Sequence, residues 1–153
     1  VSGQSIVIKK IYFRFEDSFE CEIQMEESCK KYLLPKLTIQ PLIENSFQHG
    51  IREEERYGII DLVAYAREEN LHIVVRDNGA GVPDEVIRDL NRSEEPKRGK
   101  SLGLRGTIER LRLLYGENFI FTISNGAYTE IHLQIGLCKL KEQEDGQTES
   151  GTA

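Results

Sequence analysis

The chain has 153 residues, 39% of them hydrophobic and 30% charged, which is typical of a single globular domain with a sizeable core. Its formal net charge is −6, from 20 basic and 26 acidic residues, and this acidity argues against binding to bulk nucleic acid. No apolar run approaches the roughly 20 residues of a membrane-spanning helix, and we expect no signal peptide. The odd number of cysteines without a C-x-x-C pair predicts reduced, partly buried thiols at Cys21, Cys29 and Cys138.

The first part of the chain is predicted to contain a strand and a helix. Residues 6–18 are ambiguous between a truncated helix and a strand, because their apolar side chains alternate poorly. Residues 19–25 alternate apolar and polar side chains cleanly, which predicts a half-buried strand. A helix is predicted over 37–49, with Thr38 as its N-cap and Gly50 as its stop signal.

The rest of the chain is predicted to consist of strand pairs separated by helices. Strands are predicted at 59–66, 71–76, 119–124 and 128–137. Helices are predicted at 83–90 and 104–115, with a polar loop at 91–101 between them. The dipeptide Asn125-Gly126 is the strongest short hairpin signal, so we expect the last two strands to form a hairpin around it.

This order of elements predicts an α/β fold. We expect a two-layer sandwich, with one mixed, mostly antiparallel sheet and helices packed on one face. The domain is expected to span 19–138. Residues 1–18 would be the remnant of an upstream segment, and the polar stretch 139–153 would be a disordered tail.

The segment LIENSFQHG at 42–50 lies on the first predicted helix and carries polar residues away from its apolar face. Asn45 and His49 are one turn apart and lie on the same side. An amide oxygen is a suitable hard ligand for Mg²⁺, and Glu44 is placed to polarise a water or orient a nucleophile. Taken alone, the segment is equally explained by a solvated polar helix face.

The segment DNGAG at 77–81 directly follows a predicted strand. Asp77 at the strand end can accept a hydrogen bond from an exocyclic amine such as adenine N6. Gly79 and Gly81 permit positive φ and a close approach of the backbone to a flat ring. A plain Asp-Asn-Gly turn would account for the same residues.

The segment GKSLGLRG at 99–106 is glycine-rich and basic. Between Lys97 and Arg112 there are six basic residues and one acidic residue. The turn at 101–103 opens onto a helix whose first N–H groups can face a phosphate, although a basic surface helix is the alternative explanation. No G-x-x-x-x-G-K-[ST] pattern occurs, so any phosphates must be held differently from those of a P-loop.

In this order the three segments resemble the N-box, the G1 box and the G2 region of the GHKL (Bergerat-fold) ATPases. The flanking sequences RFEDSF and ERLRLLYG are similar to the catalytic domains of LytS/YesM-type bacterial sensor histidine kinases. The likeness covers about residues 10–137. It implies an ATP-dependent protein-histidine kinase domain that binds ATP and Mg²⁺.

The resemblance also implies roles for individual residues. Asn45 would coordinate the Mg²⁺ that bridges the phosphates, with Glu44 and His49 as nearby catalytic residues. Asp77 would bind the adenine amine. The remaining nucleotide contacts would come from Gly79, Gly81, Lys100, Ser101, Leu102, Gly103, Leu104 and Thr129.

The phosphate acceptor implied by the family is a histidine on dimerisation helices, and nothing in this chain resembles those helices. His49, His72 and His132 lie in the N-box or in predicted strands, so none is expected to be phosphorylated. The intact protein would be a membrane-anchored homodimer with this domain in the cytoplasm. It would phosphorylate a response regulator and would not bind nucleic acid.

The chain departs from the family pattern at three positions. Ser101 replaces the first glycine of the G2 box, Gly106 replaces its asparagine, and Tyr128 replaces the second glycine of a Gly-x-Gly-Thr motif. The Cβ of Ser101 would weaken phosphate contacts, which leaves open a pseudokinase that binds nucleotide and acts as an interaction module. Another GHKL class, such as an anti-sigma serine kinase, is a further alternative, against which the HG ending of the N-box argues.

Overall fold

A six-stranded sheet forms the centre of the computed structural model, which describes residues 7–15, 18–29, 38–51, 57–91 and 103–136. The strands are β1 (Val7–Phe15), β2 (Phe19–Glu26), β3 (Gly58–Arg67), β4 (Asn70–Asp77), β5 (Phe119–Ser124) and β6 (Thr129–Gly136). They lie in the order β1-β2-β3-β4-β6-β5. The β2–β3 pair is parallel and the other four pairs are antiparallel. The predicted mixed, mostly antiparallel sheet is therefore confirmed.

The helices cover one face of this sheet. They are α1 (Ile39–Asn45), which continues into a π-helical turn at Ser46–Ile51, α2 (Asp84–Asn91) and α3 (Leu104–Tyr115). Leu42, Leu90, Ile108 and Leu111 from these helices are buried in the same hydrophobic cluster as alternate residues of the strands. None of the helices within the described ranges is both long and apolar enough to cross a membrane.

The two faces of the sheet differ because successive side chains of a strand point in opposite directions. The covered face is apolar and includes Ile60, Leu62, Ile73, Val75, Ile131 and Leu133. The other face carries mostly polar and charged side chains, among them Asp61, Arg76 and Glu130. Cys21 and Cys29 are buried and unpaired, as expected, and burial raises the pKa of Cys21 to about 11. Cys138 lies outside the described residues.

The ambiguous N-terminal segment is a strand. β1 pairs antiparallel with β2 from Val7↔Glu26 to Phe15↔Phe19. Residues 7–15 therefore belong to the sheet, which extends beyond the boundary drawn at residue 19. An edge strand has a neighbour on one side only, so its apolar pattern is less constrained than that of a central strand. The expected tail at 139–153 lies outside the described residues and stays a prediction.

The predicted helix over 37–49 differs from the structure at both ends. Thr38 adopts helical dihedrals (φ −81°, ψ −44°), and its side chain makes no capping hydrogen bond. A side-chain cap needs an extended residue whose oxygen can turn back to the first turn, so the predicted cap is wrong. At the other end the α-helix stops at Asn45 and the wider π-helical turn runs past Gly50 to Ile51. Such wide turns occur frequently at functional sites.

The final hairpin is present, but β6 begins one residue later than predicted, at Thr129. Four residues, 125–128, separate β5 from β6, and Gly126 does not have a positive φ. The first predicted hairpin does have a tight turn, with Glu68 and Glu69 both at positive φ (51° and 63°). The two helices predicted at 83–90 and 104–115 are also confirmed.

Two histidines meet on the face of the sheet opposite the helices. Nδ1 of His72 lies 2.9 Å from Nε2 of His132, so one nitrogen donates a hydrogen bond and the other accepts it. The ring of Tyr65 stacks on His72 at 4.8 Å, and the guanidinium of Arg67 lies 4.9 Å from the Tyr65 ring. Burial lowers the pKa of His72; the charges of His132 and Arg67 lower it further, and Glu68 opposes them.

This histidine pair should make the stability of the domain depend on pH. A histidine whose folded pKa is depressed favours the neutral ring, so its contribution is present above the unfolded pKa of about 6.5 and is lost as the pH falls below it. The free energy of unfolding measured by urea titration should therefore fall from pH 7.5 to pH 5.5 less steeply in His72→Gln than in the parent. Carboxyl groups with raised pKa values are common to both chains and cancel in the comparison. Identical pH slopes would contradict the prediction.

Candidate functional site

A cavity of about 670 Å³ opens between the loop that follows β4, helix α2 and the first turn of α3. This volume is within the usual range for small-molecule sites. Its walls are mainly apolar, and the loop contributes Ala80, Gly81, Val82 and Pro83. The polar groups are few: Asn45 from the end of α1, Asp89 from α2 and Arg105 from α3. An apolar cleft with a few placed polar groups is suited to a flat, partly polar ligand.

Asp77 and Thr129 lie beside this cavity at one end of the sheet. Asp77 is the last residue of β4, Thr129 is the first of β6, and the two are directly opposite each other in the strand pair. Both are buried, with exposed fractions of 3% and 4%. A Cβ added to Gly81 would lie 3.8 Å from Thr129 Oγ1, so the loop backbone passes close to this pair. Strand pairing thus brings Thr129 next to Asp77, 52 residues earlier in the sequence, and close to the loop that follows Asp77.

The Asp77 carboxyl group is buried, and burial disfavours its charged form. The Gly79 N–H donates a hydrogen bond to its Oδ1 at 2.9 Å, which is the contribution of Gly79 to the site. Burial raises the pKa of Asp77, while the Gly79 bond and the hydroxyl of Ser46 oppose that rise. Burying a carboxyl group without a charged partner costs stability, so this placement indicates a functional group rather than a structural one.

Ser46 is a further site residue that was not predicted, because the helical period of Leu42, Ser46 and Phe47 places its hydroxyl on the apolar face of the first helix. It lies in the π-helical turn and is 1% exposed. Its Oγ lies near enough to Asp77 to affect the pKa of that group, yet within the described residues no hydrogen bond of good geometry satisfies it. A hydroxyl at an otherwise apolar helical position was the available signal.

Two asparagines hold the loop between β4 and α2. At its start, Asn78 Oδ1 accepts a hydrogen bond from Ile59 N (2.8 Å), and Asn78 Nδ2 donates one to the Tyr57 carbonyl (3.0 Å). At its end, Asn125 Oδ1 accepts from Val82 N (3.0 Å), and Asn125 Nδ2 donates to the Val82 carbonyl (2.6 Å). Gly81 between them has a φ of +85°, a region that favours glycine. Both asparagines were expected only as turn residues, and neither was predicted to hold this loop.

The first turn of α3 forms the other end of the cavity. Gly103 and Leu104 line it together with Arg105. Thr107 N donates to the Gly103 carbonyl (3.2 Å) in this first turn. The N–H groups at the start of a helix point out of its N-terminal end. These groups and the helix dipole favour an anion at this position. Lys100, Ser101 and Leu102 lie outside the described residues.

The polar residues predicted on the first helix are distributed unequally around the cavity. Asn45 lines it. Glu44 is exposed, and its Oε1 accepts a hydrogen bond from Gln40 Nε2 at 2.8 Å. The side chain of His49 lies outside what the structure describes. The predicted catalytic roles of Glu44 and His49 therefore stay predictions.

Comparison with known proteins gives the chain its family. No protein-family model matches it. It is 36% identical to the sensor protein LytS of Staphylococcus haemolyticus over 104 residues, 67% of this chain and 18% of LytS. It is 32% identical to the sensor histidine kinase YesM of Bacillus subtilis over 107 residues, 70% of this chain and 17% of YesM. The chain belongs to the catalytic-domain family of LytS/YesM-type sensor histidine kinases.

The fold of a solved kinase agrees with this family. Full-length ShkA in complex with AMPPNP matches with a TM-score of 0.51 and 18% identity, over 79% of this chain and 26% of ShkA. The predicted Bergerat (GHKL) fold is confirmed. The likenesses support a role as the kinase domain of a two-component system. This LytS/YesM-type domain matches less than one fifth of the length of the two sensor proteins.

The buried Asp77 carboxylate should lower the free energy of unfolding of the domain. Because the folded pKa of Asp77 is raised, the folded state holds its proton more tightly than the unfolded state, and ionisation at neutral pH opposes folding. Asp77→Asn keeps an oxygen for the Gly79 N–H and removes the buried charge. We expect it to raise the free energy of unfolding at pH 7.5 by roughly 0.5–2 kcal/mol in urea titration.

The control for this change is Asp84→Asn, which removes the same charge from an exposed position in the first turn of α2. It should leave stability unchanged or lower it slightly, because an acid there favours the helix dipole. A destabilised Asp77→Asn domain would show that the carboxylate supports the fold.

Proposed function

We propose that this domain binds Mg·ATP and donates the γ-phosphate to a histidine on dimerisation helices of the same protein. The observation that carries the proposal is the buried Asp77–Thr129 pair beside an apolar cavity whose other end is a helix N-terminus. That arrangement offers a hydrogen-bond acceptor to a base and helix N-terminal N–H groups to phosphates at the other end of the cavity. The likeness to LytS and YesM supplies the class of reaction.

The adenine would bind at the strand end. An ionised Asp77 offers an acceptor to the exocyclic amine, and the Ser46 and Thr129 hydroxyls lie beside it. Gly81 lets the loop backbone approach the ring without a Cβ in the way. The apolar side chains of Val82, Val86 and Leu90 would cover its faces. Protonation of Asp77 would remove its negative charge and leave only a weaker, neutral acceptor, so the affinity for ATP should fall as the pH drops through the pKa of Asp77.

The triphosphate would extend toward α3. Gly103 and Leu104 would provide backbone N–H groups, and Arg105 adds a positive charge at the cavity wall. Lys100, Ser101 and Leu102, which are predicted nucleotide contacts in the segment before α3, would cover the phosphates from the other side. ShkA, the structural neighbour, is known in complex with AMPPNP, an adenine nucleotide. The phosphates would thus meet fixed dipoles and cationic side chains, which stabilise developing charge on transfer.

Asn45 would hold the Mg²⁺ ion. The donor set suits it, because Asn45 offers a neutral amide oxygen at the cavity wall, and no cluster of three or more His, Cys, Asp or Glu occurs in the described part of the chain. Mg²⁺ keeps several waters and binds through few protein ligands plus substrate phosphates. When bound, it would neutralise charge on the phosphates.

Glu44 and His49 would act on the acceptor side. Glu44 is exposed at the end of α1, next to Asn45, so an acceptor histidine brought from outside the domain can reach it. We assign Glu44 as the group that polarises or deprotonates the acceptor imidazole, with His49 supporting it one turn further on. General base catalysis of this kind contributes roughly 10²- to 10⁴-fold in rate.

From the same relatives we propose the setting of the intact protein. It would be a membrane-anchored homodimer with this domain in the cytoplasm, and it would pass phosphate to a response regulator rather than bind nucleic acid. The likeness to LytS and YesM argues against the other GHKL classes. The pseudokinase alternative depends on Ser101, which replaces the first glycine of the G2 box and would weaken phosphate contacts. Tyr128, which replaces the second glycine of the Gly-x-Gly-Thr motif, is 57% exposed and is not among the residues that line the cavity.

Calorimetric titration of the chain with ATP, with and without Mg²⁺, tests the pocket. We expect Mg²⁺-dependent binding that Asp77→Ala weakens by roughly 10- to 150-fold, the range for a hydrogen bond to a charged group. Asn45→Ala should abolish the dependence on Mg²⁺. Gln48→Ala, an exposed position on the same turn, is the control and should bind as the parent does. Unchanged binding in both site variants would rule out this pocket.

Phosphotransfer in the intact protein tests the chemistry. The isolated domain should bind ATP with little turnover, whereas the full-length protein should form an acid-labile phosphohistidine from labelled ATP. Glu44→Gln should slow that step by roughly 10²- to 10⁴-fold without changing ATP affinity. Tight ATP binding without any phosphohistidine in the full-length parent would favour the pseudokinase, and full transfer by Glu44→Gln would remove Glu44 from the mechanism.

A further inference from the structure

The contact between Asn125 and Val82 joins two segments that the strand pairing alone does not connect. Asn125 lies in the connection between β5 and β6, and Val82 lies at the end of the loop that lines the cavity. The side-chain amide of Asn125 accepts from the Val82 N–H (3.0 Å) and donates to the Val82 carbonyl (2.6 Å). One amide therefore satisfies both backbone groups of one residue, as a neighbouring strand would do.

The same amide is packed against Gly81. A Cβ built on Gly81 would lie 3.0 Å from Asn125 Oδ1 and 3.4 Å from Asn125 Cγ, tighter than an ordinary contact. Gly81 also has a φ of +85°, which non-glycine residues adopt at a cost. A residue larger than glycine at position 81 would therefore press against Asn125, which lies 44 positions later in the sequence.

Asn125 has no visible role in the hydrophobic core. The whole connection 125–128 is exposed, whereas the core cluster is built from the sheet and the helices. Four residues after Asn125, the chain reaches Thr129, which is paired with Asp77. Asn125 therefore ties the loop wall to the hairpin connection that leads into Thr129.

We propose that Asn125 is a positioning residue that sets affinity and base selectivity for adenine nucleotides. It fixes the position of the Gly81–Val82 wall relative to Asp77 and Thr129, beside which the purine ring would bind, and it touches no phosphate. This inference rests on the proposed function, because it assigns a specificity role within the same site. Its effect should appear in binding of the base and not in the rate of phosphoryl transfer.

The test compares Asn125→Ala with the parent and with Ser124→Ala, an exposed neighbour in the same hairpin. Calorimetry should show affinities for ATP and ADP lowered by the same factor, roughly 10- to 30-fold, as expected for two neutral hydrogen bonds. The ratio of ATP to GTP affinity should shrink. In the full-length protein, KM for ATP should rise while kcat for phosphohistidine formation stays within about twofold. Hydrogen exchange at the Val82 amide should accelerate in Asn125→Ala and not in Ser124→Ala.

A second variant separates positioning from general loosening. Gly81→Ala should weaken ATP binding strongly in the parent and less strongly in the Asn125→Ala background, because the side chain that the new Cβ meets is then gone. Such non-additivity in a double-mutant cycle reports the contact itself.

The outcomes distinguish the two proposals. Faster exchange at Val82 with unchanged ATP affinity and unchanged base preference would overturn the role of Asn125 and leave the proposed function intact. Strictly additive effects of Gly81→Ala and Asn125→Ala would likewise overturn it. A parent chain that binds neither ATP nor ADP would overturn the proposed function, and the specificity role with it.

Discussion

The antiparallel pairing of β4 with β6 is the constraint on which the candidate site depends. Its register sets Asp77 opposite Thr129 at the end of both strands, on the face that the helices cover. A slip of one residue would turn both side chains to the opposite face of the sheet. Val75 in β4 and Ile131 in β6 point to the same face and are buried in the core. A slip would expose them, so their burial prevents it. Packing of the core thereby places two polar groups at its edge.

The site is built from groups that the fold would be more stable without. The Asp77 carboxyl has a raised pKa, and the Ser46 hydroxyl is buried without a satisfactory bond in the described structure. Ser46 begins the π-helical turn that follows α1, and Asp77 ends β4. Groups that oppose folding and yet converge on one cavity are typical of binding sites, where a ligand supplies the missing partners. The helices and strands around them provide the compensating apolar burial.

The loop between β4 and α2 shows how polar side chains shape such a site. Asn78 ties its start to the backbone of Tyr57 and Ile59, and Asn125 ties its end to Val82. This loop is not part of the hydrophobic core, so hydrogen bonds between the loop and the residues around it fix its position. The hairpin connection is longer than a two-residue Asn-Gly turn for the same reason. The Asn125 side chain is directed to the loop, and Gly126 does not adopt the positive φ of a two-residue turn.

Local patterns in the sequence were sufficient to predict five of the six strands, two of the three helices and the segments that carry the site. Strand alternation and helical periodicity are short-range properties, and the order of Asn45, Asp77 and Gly103 along the chain already indicated a nucleotide pocket. The strand assignment of residues 7–15, the π-helical turn with Ser46, and the Asn125–Val82 contact were decided only by the tertiary structure. Each of them depends on partners elsewhere in the chain, from 4 to 19 residues away within the β1–β2 pair to 43 residues away for Asn125 and Val82, and no local propensity specifies where those partners lie.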